Sequence, residues 1–538
     1  MKKIISVLLS AIIVFSVFGV YFTAFAYSEY DDGISDIPCI YVQGKSQNIV
    51  TSDGEYVYLN NSAGINGEGI DIGAAIQECL PYLKDAFLTD DWTAYQQKLL
   101  EVVDPMYCKL RLDGDGNPQY GTHQHDLTWI EAQYHDIKAP NGKYALTGYL
   151  FLYDWRLDPF ETADILHTFI ENVKAATGKD KVNITARCEG TNVMGAYLAE
   201  YGSDDINCLN LYVSTLNGST PYSSIYSGNM NLDIDALKRF KDEKTLIGDE
   251  FINALVDSTA GLLIETYASN GLSIALKPFI AKLYKEAVVP VLRASYATMP
   301  GMWGLVGKDD YQTARNNIFG GCEEEYGGLL EKLDNYDEKV RQVIDELLLK
   351  AVENGTKVSI WAKYGDYAIV PFCRDNQVIS DSVLALSDAS FGSAATHIGE
   401  VFSDKYIEKA EKENRAKYIS PDKVCDLSTA VLPDTTWVIY NSEHSEFPAS
   451  IHELMARFIV SDGTMTVWSD ETAPQYLYCS DDQHTVSPLT AENGMQPADN
   501  KPAHTKQSIK DKVMAFVKSI LALIKNFFMQ KFSAIGNK

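Results

Sequence analysis

Short apolar runs alternate with amphipathic stretches along the first part of the chain. Four of the runs have the length and composition of buried strands, at 37–42, 145–153, 182–185 and 209–214. Between them, Phe160–Ala176 repeats its apolar residues at helical spacing before Gly178, and Thr191–Tyr201 predicts a second helix that ends at Gly202. Strands that alternate with helices predict an α/β fold with a doubly wound, mostly parallel sheet.

The pattern changes between residues 222 and 354, where helical stretches such as 251–267 and 337–352 occur and no strand is evident. This segment is too long for a simple connection in a compact domain. It predicts a helical insertion that lies over the sheet as a lid. Strand patterns return at 358–362 and 435–440, and a closing helix follows at 451–459. The predicted core therefore has two parts, 35–221 and 355–470.

The first residues have the features of an export signal. Lys2 and Lys3 precede an uncharged stretch from Ile4 to Ser28, and Ala24-Phe25-Ala26 offers small residues for cleavage. We interpret residues 1–26 as a signal peptide and expect an exported protein, either secreted or at the cell surface. The alternative is an uncleaved anchor, because the stretch is long enough to span a bilayer.

Charge is unevenly distributed along the chain. The formal net charge is -27, yet segment 506–538 contains seven lysines and one aspartate. After a polar linker predicted at 480–508, apolar residues recur every three or four positions over 509–535, with lysines between them. This pattern is typical of a basic amphipathic helix that binds a membrane surface, or else packs on the acidic body. Nothing predicts nucleic-acid binding, which requires a basic patch among folded elements.

The chain contains nine cysteines and no Cys-x-x-Cys pair. Export permits disulfides, and eight cysteines would remain for pairing if one of the nine is reactive. The spacing argues against a zinc ribbon. No metal and no cofactor is predicted.

The segment around Cys188 contains the most informative motif of the chain. The pentapeptide Ala186–Gly190 reads A-R-C-E-G and stands between a predicted strand and a predicted helix. This is the setting of a nucleophile elbow, where G-x-S-x-G places a nucleophile on a sharp turn. A thiol at a helix N-terminus would favour its thiolate form, so Cys188 is expected to be reactive. The alternative interpretation is a small buried apolar residue.

A cysteine nucleophile needs a base and a third group that orients the base. In folds with a nucleophile elbow the chain order is nucleophile, acid, histidine. His444 follows the last predicted strand and is therefore the candidate base. Two aspartates are candidates for the acid: Asp366, which directly follows a strand, and Asp381.

Tyr153–Pro159 reads Y-D-W-R-L-D-P, which is similar to the Y-D-W-R-L-x-P segment of lecithin:cholesterol acyltransferase-like lipases and acyltransferases in the α/β-hydrolase superfamily. Residues 214–219, 381–383 and 433–437 with His444 resemble further segments of that family, and Gln43-Gly44 takes the place of its oxyanion His-Gly. The resemblance spans roughly residues 35–470. It implies an α/β-hydrolase fold with a helical lid, and it favours Asp381 as the acid.

The chain also departs from the family pattern. Cys188 replaces the nucleophilic serine, Ala186 and Ser382 replace glycines, and Arg187 and Gln43 replace histidines. Cysteine is the nucleophile in dienelactone hydrolases and polyhydroxyalkanoate synthases of the same superfamily. The departures therefore leave two interpretations open.

The first interpretation is an exported hydrolase or acyltransferase that acts on a small-molecule or lipid-like ester or thioester. Cys188 would attack the carbonyl, His444 would transfer the proton and Asp381 would orient the imidazole. The backbone N–H groups of Glu189 and Lys45 would stabilise the oxyanion. The second interpretation is a catalytically degenerate relative that binds a ligand or a surface.

We predict that the protein binds anionic liposomes through residues 509–535 and does so less tightly at high salt, because each lysine near an anionic surface contributes about 1 kcal/mol. Truncation after Ser480 is expected to release it. Vesicle co-sedimentation measures the effect, and binding that the truncation leaves unchanged contradicts the prediction.

Overall fold

The computed structural model describes residues 35–45, 49–58, 78–79, 81–83, 85–86, 89–124, 148–231, 281–365 and 373–495. Four sequence predictions fall outside the described residues. They are the signal peptide at 1–26, the helix at 251–267, the alternative acid Asp366 and the basic helix at 509–535.

Within the described residues, eight strands form one sheet. In chain order they are β1 Cys39–Val42, β2 Tyr149–Phe151, β3 Val182–Arg187, β4 Ile206–Tyr212, β5 Lys357–Tyr364, β6 Thr436–Tyr440, β7 Tyr476–Cys479 and β8 Val486–Pro488. Their spatial order is β8-β7-β6-β5-β4-β3-β1-β2. Neighbouring strands are parallel except for β7 and β8, which are antiparallel. The predicted α/β fold is confirmed at this level.

The middle strands are buried on both faces because helices lie on both sides of the sheet. All six residues of β3 are buried. Trp361 of β5 is in register with Trp437 of β6, and their indole rings stack with centroids 4.6 Å apart. The middle strands therefore lie in the core of the described structure.

Among the described residues, helices alternate with strands up to residue 231 and predominate over 281–353. They are α1 Thr93–Tyr107, α2 Pro159–Thr177, α3 Gly190–Tyr201, α4 Thr220–Ser227, α5 Val289–Arg293, α6 Pro300–Trp303, α7 Tyr311–Phe319, α8 Gly327–Tyr336, α9 Ile344–Glu353, α10 Leu386–Ala389, α11 Asp404–Lys412 and α12 Ala449–Val460. Short 3₁₀ turns lie at Tyr296–Thr298, Ala416–Tyr418, Leu427–Thr429 and Pro433–Thr435, and π turns at Tyr284–Val288 and Asp337–Arg341. None of these helices is both long and apolar enough to cross a bilayer.

Helix α2 shows how the local sequence fixes its ends. The Asp158 carboxylate accepts a hydrogen bond from the N–H of Phe160, and Pro159 occupies the first helical position. Gly178 ends the helix with φ of +67°. The helix packs on α3, so both elements cover the same face of the sheet.

The last part of the predicted lid belongs to the layer that covers the sheet. The π turn Asp337–Arg341 and helix α9 pack on α3, and α9 also contacts β5. Gly195 of α3 is needed for this approach, because a Cβ there would lie 2.7 Å from Cγ1 of Val340. Helix α9 is directly followed by β5, so the predicted boundary at 354 falls between a helix and a strand of the described structure.

The core also extends beyond its predicted end at residue 470. Strand β7 lies after that boundary, and β8 lies within the predicted linker 480–508. The backbone N–H of Met495 donates to the Asp422 carboxylate at 3.0 Å, which ties the following segment to the body. Both strands are too short for their apolar pattern to predict them. Truncation after Ser480 would remove β8, so the test of the basic tail requires truncation after Met495.

Two small antiparallel sheets lie beside the central one in the described residues. Ile49–Val50 pairs with Tyr56–Tyr58 and with His123–Gln124, and Ala394–Ala395 pairs with Cys425–Asp426. All nine cysteines are described, and each is a free thiol. The disulfides that export would permit are therefore absent from the described structure.

Candidate functional site

Cys188 lies on a strained turn between β3 and α3. Its φ is +49°, a left-handed value that non-glycine residues rarely adopt. The hydroxyl groups of Thr191 and Thr215 both donate to the Cys188 carbonyl, at 2.6 and 3.0 Å. The predicted strand–turn–helix setting is present, and the two threonines hold it in place.

The segment after β1 lies directly on this turn. A Cβ at Gly190 would lie 2.7 Å from the carbonyl oxygens of Val42 and Gln43, and a Cβ at Gly44 would lie 2.9 Å from Cβ of Cys188. Only glycine permits such an approach at both positions. The two glycines bring the backbone of Lys45 beside the nucleophile.

The structure brings Cys188, His444 and Asp381 together. Nε2 of His444 lies 3.3 Å from the Cys188 sulfur, and Nδ1 lies 2.7 Å from Oδ2 of Asp381. The three side chains follow β3, β6 and β5, and they are 1%, 3% and 0% exposed. A thiol, an imidazole and a carboxylate in this order can transfer a proton from sulfur to nitrogen while the carboxylate orients the ring.

Asp381 is fixed by its own turn. Its Oδ1 accepts the N–H groups of Val383 and Leu384 at 3.1 and 2.7 Å. Ser382 has φ of +74°, a left-handed value that favours glycine. Of the two predicted acids, Asp381 contacts the histidine, and Asp366 lies outside the described residues.

The Lys45 N–H predicted for the oxyanion already has a partner in this structure. The Lys45 backbone N–H donates to Oε2 of Glu189 at 3.1 Å, so the residue after the nucleophile places its own carboxylate on this donor. The Lys45 ammonium lies over the rings of Trp155 and Tyr296, with centroid distances of 4.5 and 4.8 Å. Sequence reasoning considered only the backbone N–H of Glu189 and missed its side chain. The charge of Glu189, directly after Cys188 in the sequence, was the feature that could have indicated this contact.

The surroundings of Cys188 oppose the thiolate form that its place at a helix N-terminus predicts. Burial raises the pKa of Cys188 well above its usual value, and the neighbouring Glu189 carboxylate raises it further, while Arg187 lowers it. The helix N-terminus cannot offset the loss of hydration that a buried thiolate would suffer. Burial also lowers the pKa of the Lys45 ammonium to about 8, against the effect of Glu189.

The Y-D-W-R segment builds the frame of the site. The Arg156 guanidinium is buried and donates to Asp154 through Nε and Nη2 at 2.9 and 2.6 Å. It also donates to the carbonyls of Leu110 and Thr122, at 2.9 and 3.1 Å. Trp155, which stands between Asp154 and Arg156 in the sequence, lies against Lys45. The segment thus joins strand β2 to the chain around 110–122.

Among the described residues, His167, Glu171 and Asp205 could offer ligand atoms to one metal ion. The Lys174 ammonium already donates to both carboxylates, at 2.7 Å for Glu171 and 2.5 Å for Asp205. A lysine cation in this position occupies the carboxylates that a metal ion would need, and the cluster is a surface ion-pair network. We assign no metal to it.

Comparison with known proteins gives no family for the chain. No family model matches it, and no curated protein matches it. A solved structure described as "The crystal structure of Tle4-Tli4 complex" contains a similar chain at 14% sequence identity and a TM-score of 0.22, covering 61% of this chain and 75% of that one. A likeness this low carries no argument about fold or activity.

We expect the Cys188 thiol to react with iodoacetamide at neutral pH more slowly than Cys108 and Cys322, which are partly exposed. Only the thiolate reacts, and burial with Glu189 keeps Cys188 protonated. Glu189→Gln removes the negative charge and lowers the pKa of Cys188, so labelling should accelerate about tenfold for each unit of the fall.

Peptide mass spectrometry gives the rate at each cysteine, and Cys108 is the internal control for reagent and fold. Two results contradict this account of the thiol. One is faster labelling of Cys188 than of Cys108 in the unaltered chain, and the other is an unchanged Cys188 rate in Glu189→Gln.

Proposed function

We propose that the protein is an exported hydrolase or acyltransferase of the α/β-hydrolase type that acts on an ester or thioester. The observation that carries the proposal is the continuous contact from the Cys188 sulfur through His444 to Asp381, at 3.3 and 2.7 Å. The mostly parallel sheet and the elbow after a middle strand support the same class of enzyme.

In the first half of the reaction, His444 Nε2 accepts the thiol proton as the Cys188 sulfur attacks the substrate carbonyl carbon. A C–S bond forms and the carbonyl electron pair moves to oxygen. The tetrahedral intermediate collapses, the bond to the leaving group breaks, and His444 returns the proton to the departing alcohol or thiol. The Asp381 carboxylate stabilises the imidazolium between these steps.

In the second half, water or an acceptor alcohol gives its proton to His444 and attacks the acyl-thioester. The new C–O bond forms, the C–S bond breaks, and the imidazolium returns the proton to sulfur. The thioester intermediate is therefore compatible with both hydrolysis and acyl transfer.

Substrate binding has to displace the Glu189 carboxylate. The carbonyl oxygen requires the Lys45 N–H that Glu189 now accepts, beside the N–H of Glu189 itself. Each such donor contributes about 3 kcal/mol to the stabilisation of an oxyanion. Departure of the carboxylate also removes one cause of the raised pKa of Cys188. The same movement would thus open the donor site and favour the thiolate.

A segment that packs on Lys45 and Arg156 supports the lid part of the proposal. Tyr296 lies against Lys45, and the N–H of Gly301 donates to the Arg156 carbonyl at 3.2 Å. The segment around 296–301 therefore closes over the frame of the nucleophile, and access of a substrate requires it to move.

The substrate class follows from the sequence resemblance and the tail. Similarity of Tyr153–Pro159 to acyltransferase-like lipases favours a lipid-like acyl group. A basic amphipathic helix at 509–535 would bring the enzyme to an anionic membrane, where such esters are found.

A second candidate function is a non-catalytic binding protein with the same fold. It is favoured by the Glu189 carboxylate on the Lys45 donor and by the protonated thiol. In this case ligands would raise the melting temperature without being cleaved, and Cys188→Ala would bind them equally well.

We expect the full chain to hydrolyse members of a panel of chromogenic esters and thioesters, and Cys188→Ala to be inactive. Asp381→Asn should lower kcat about 10⁴-fold, because the imidazole loses the acceptor that sets its tautomer. Asp366→Asn should cost far less. Equal small effects of the two aspartate variants would overturn the assignment of the acid. Turnover that Cys188→Ala retains would overturn the assignment of the nucleophile.

A further inference from the structure

Three neighbouring strands end in donors that bind the backbone of the loop carrying His444. Residues 443–446 of this loop lie between β6 and α12. Lys363 near the end of β5 donates to the carbonyls of Glu443, at 2.7 Å, and Glu446. Arg187 at the end of β3 donates to those of His444 and Ser445, at 3.2 and 2.7 Å. The Tyr212 hydroxyl at the end of β4 donates to that of Glu446, at 2.7 Å.

These donors are deeply buried, and two of them are cations. Lys363 is 0% exposed and Arg187 is 2% exposed. Burying an ion costs several kcal/mol unless hydrogen bonds replace its hydration. Together these two face four consecutive carbonyl dipoles, those of residues 443–446. The aromatic ring of Tyr212 adds a cation–π contact to Lys363, at 4.8 Å from its centroid.

We propose that Lys363 and Arg187 are positioning residues for His444. They hold its loop by the backbone, so that the imidazole spans the gap between the Cys188 sulfur and the Asp381 carboxylate. Neither side chain needs to touch substrate. The catalytic consequence rests on the proposed function, but the position of the imidazole can be measured without it.

The strength of the hydrogen bonds from Lys363 to the loop depends on the charge of its amino group. Burial, with Arg187 as the second cause, lowers the pKa of Lys363 to about 7, and Asp381, Cys479 and Glu446 oppose the shift. A neutral amine is a weaker donor than an ammonium. The hold on residues 443–446 is therefore expected to weaken as pH rises through about 7.

Stability changes in the opposite direction. The usual pKa of 10.5 applies to the unfolded chain, and the folded value is about 7. Between these values the unfolded chain binds more protons, so this group increases the free energy of unfolding as pH rises. Over this pH range the free energy of unfolding should rise while the contacts of Lys363 with residues 443–446 weaken. These opposite changes distinguish a positioning role from a general contribution to folding.

The same strand offers a matched control. Lys357 at the other end of β5 donates to the carbonyls of Ile459 and Ser461, the latter at 2.8 Å. Burial also lowers the pKa of Lys357. Lys357→Met removes a comparable lysine–carbonyl contact from β5, but far along the strand from His444.

The experiment compares Lys363→Met, Lys363→Arg and Lys357→Met in the full chain with histidines labelled by ¹⁵N. The hydrogen-bonded Nδ1 proton of His444 gives a low-field NMR signal, which His444→Gln assigns. Lys363→Met should broaden or shift this signal, whereas Lys357→Met should leave it unchanged and Lys363→Arg should largely restore it. With an active ester, Lys363→Met should lower kcat by about 10- to 100-fold with little change in KM.

An unchanged signal in Lys363→Met overturns the proposal, and so does equal loss of the signal in Lys357→Met. If no ester is turned over, the NMR result still decides, so failure of the proposed function is distinguishable. If Lys363→Met does not fold, Arg187→Gln replaces it, because Arg187 donates to the carbonyls of His444 and Ser445 in the same loop. An unchanged signal in that variant contradicts the proposal.

Discussion

Parallel strands that end at one edge of a sheet are the constraint on which the candidate site depends. The chain leaves β3 at Cys188, β5 before Asp381 and β6 before His444, and these strands lie among four consecutive strands of the sheet. Residues separated by more than 250 positions in sequence, such as Cys188 and His444, can therefore meet at 3.3 Å. In an open α/β sheet this carboxyl edge is where sites are built.

Much of this arrangement could be predicted from local pattern. The elbow around Cys188 is encoded in a few adjacent residues, because a strand, a sharp turn with glycine and a helix follow one another directly. The place of His444 follows from chain order, and the preference for Asp381 came from a family resemblance. Strands β7 and β8 could not be predicted, since four and three residues are too few for a period to be recognised.

The electrostatics of the site could not be predicted because they depend on side-chain direction and depth. Glu189 belongs to the sharp turn, and the sequence does not say whether its carboxylate faces solvent or Lys45. A helix N-terminus favours an anion. Cys188 is buried so deeply, however, that the lost hydration of a thiolate outweighs this effect. The net result is a site in which ionisable groups of both signs, on Lys45, Glu189, Arg187 and Lys363, are almost fully buried.

The Glu189 carboxylate beside the thiol has a consequence for the chemical durability of the protein. Oxidants attack the thiolate form of cysteine. Oxidation beyond the sulfenic acid is irreversible for most cysteines. A sulfur held in its protonated form, 1% exposed and next to a negative charge, is a poor target for peroxide. Burial and the neighbouring carboxylate would thus keep the Cys188 thiol reduced in an oxidising environment.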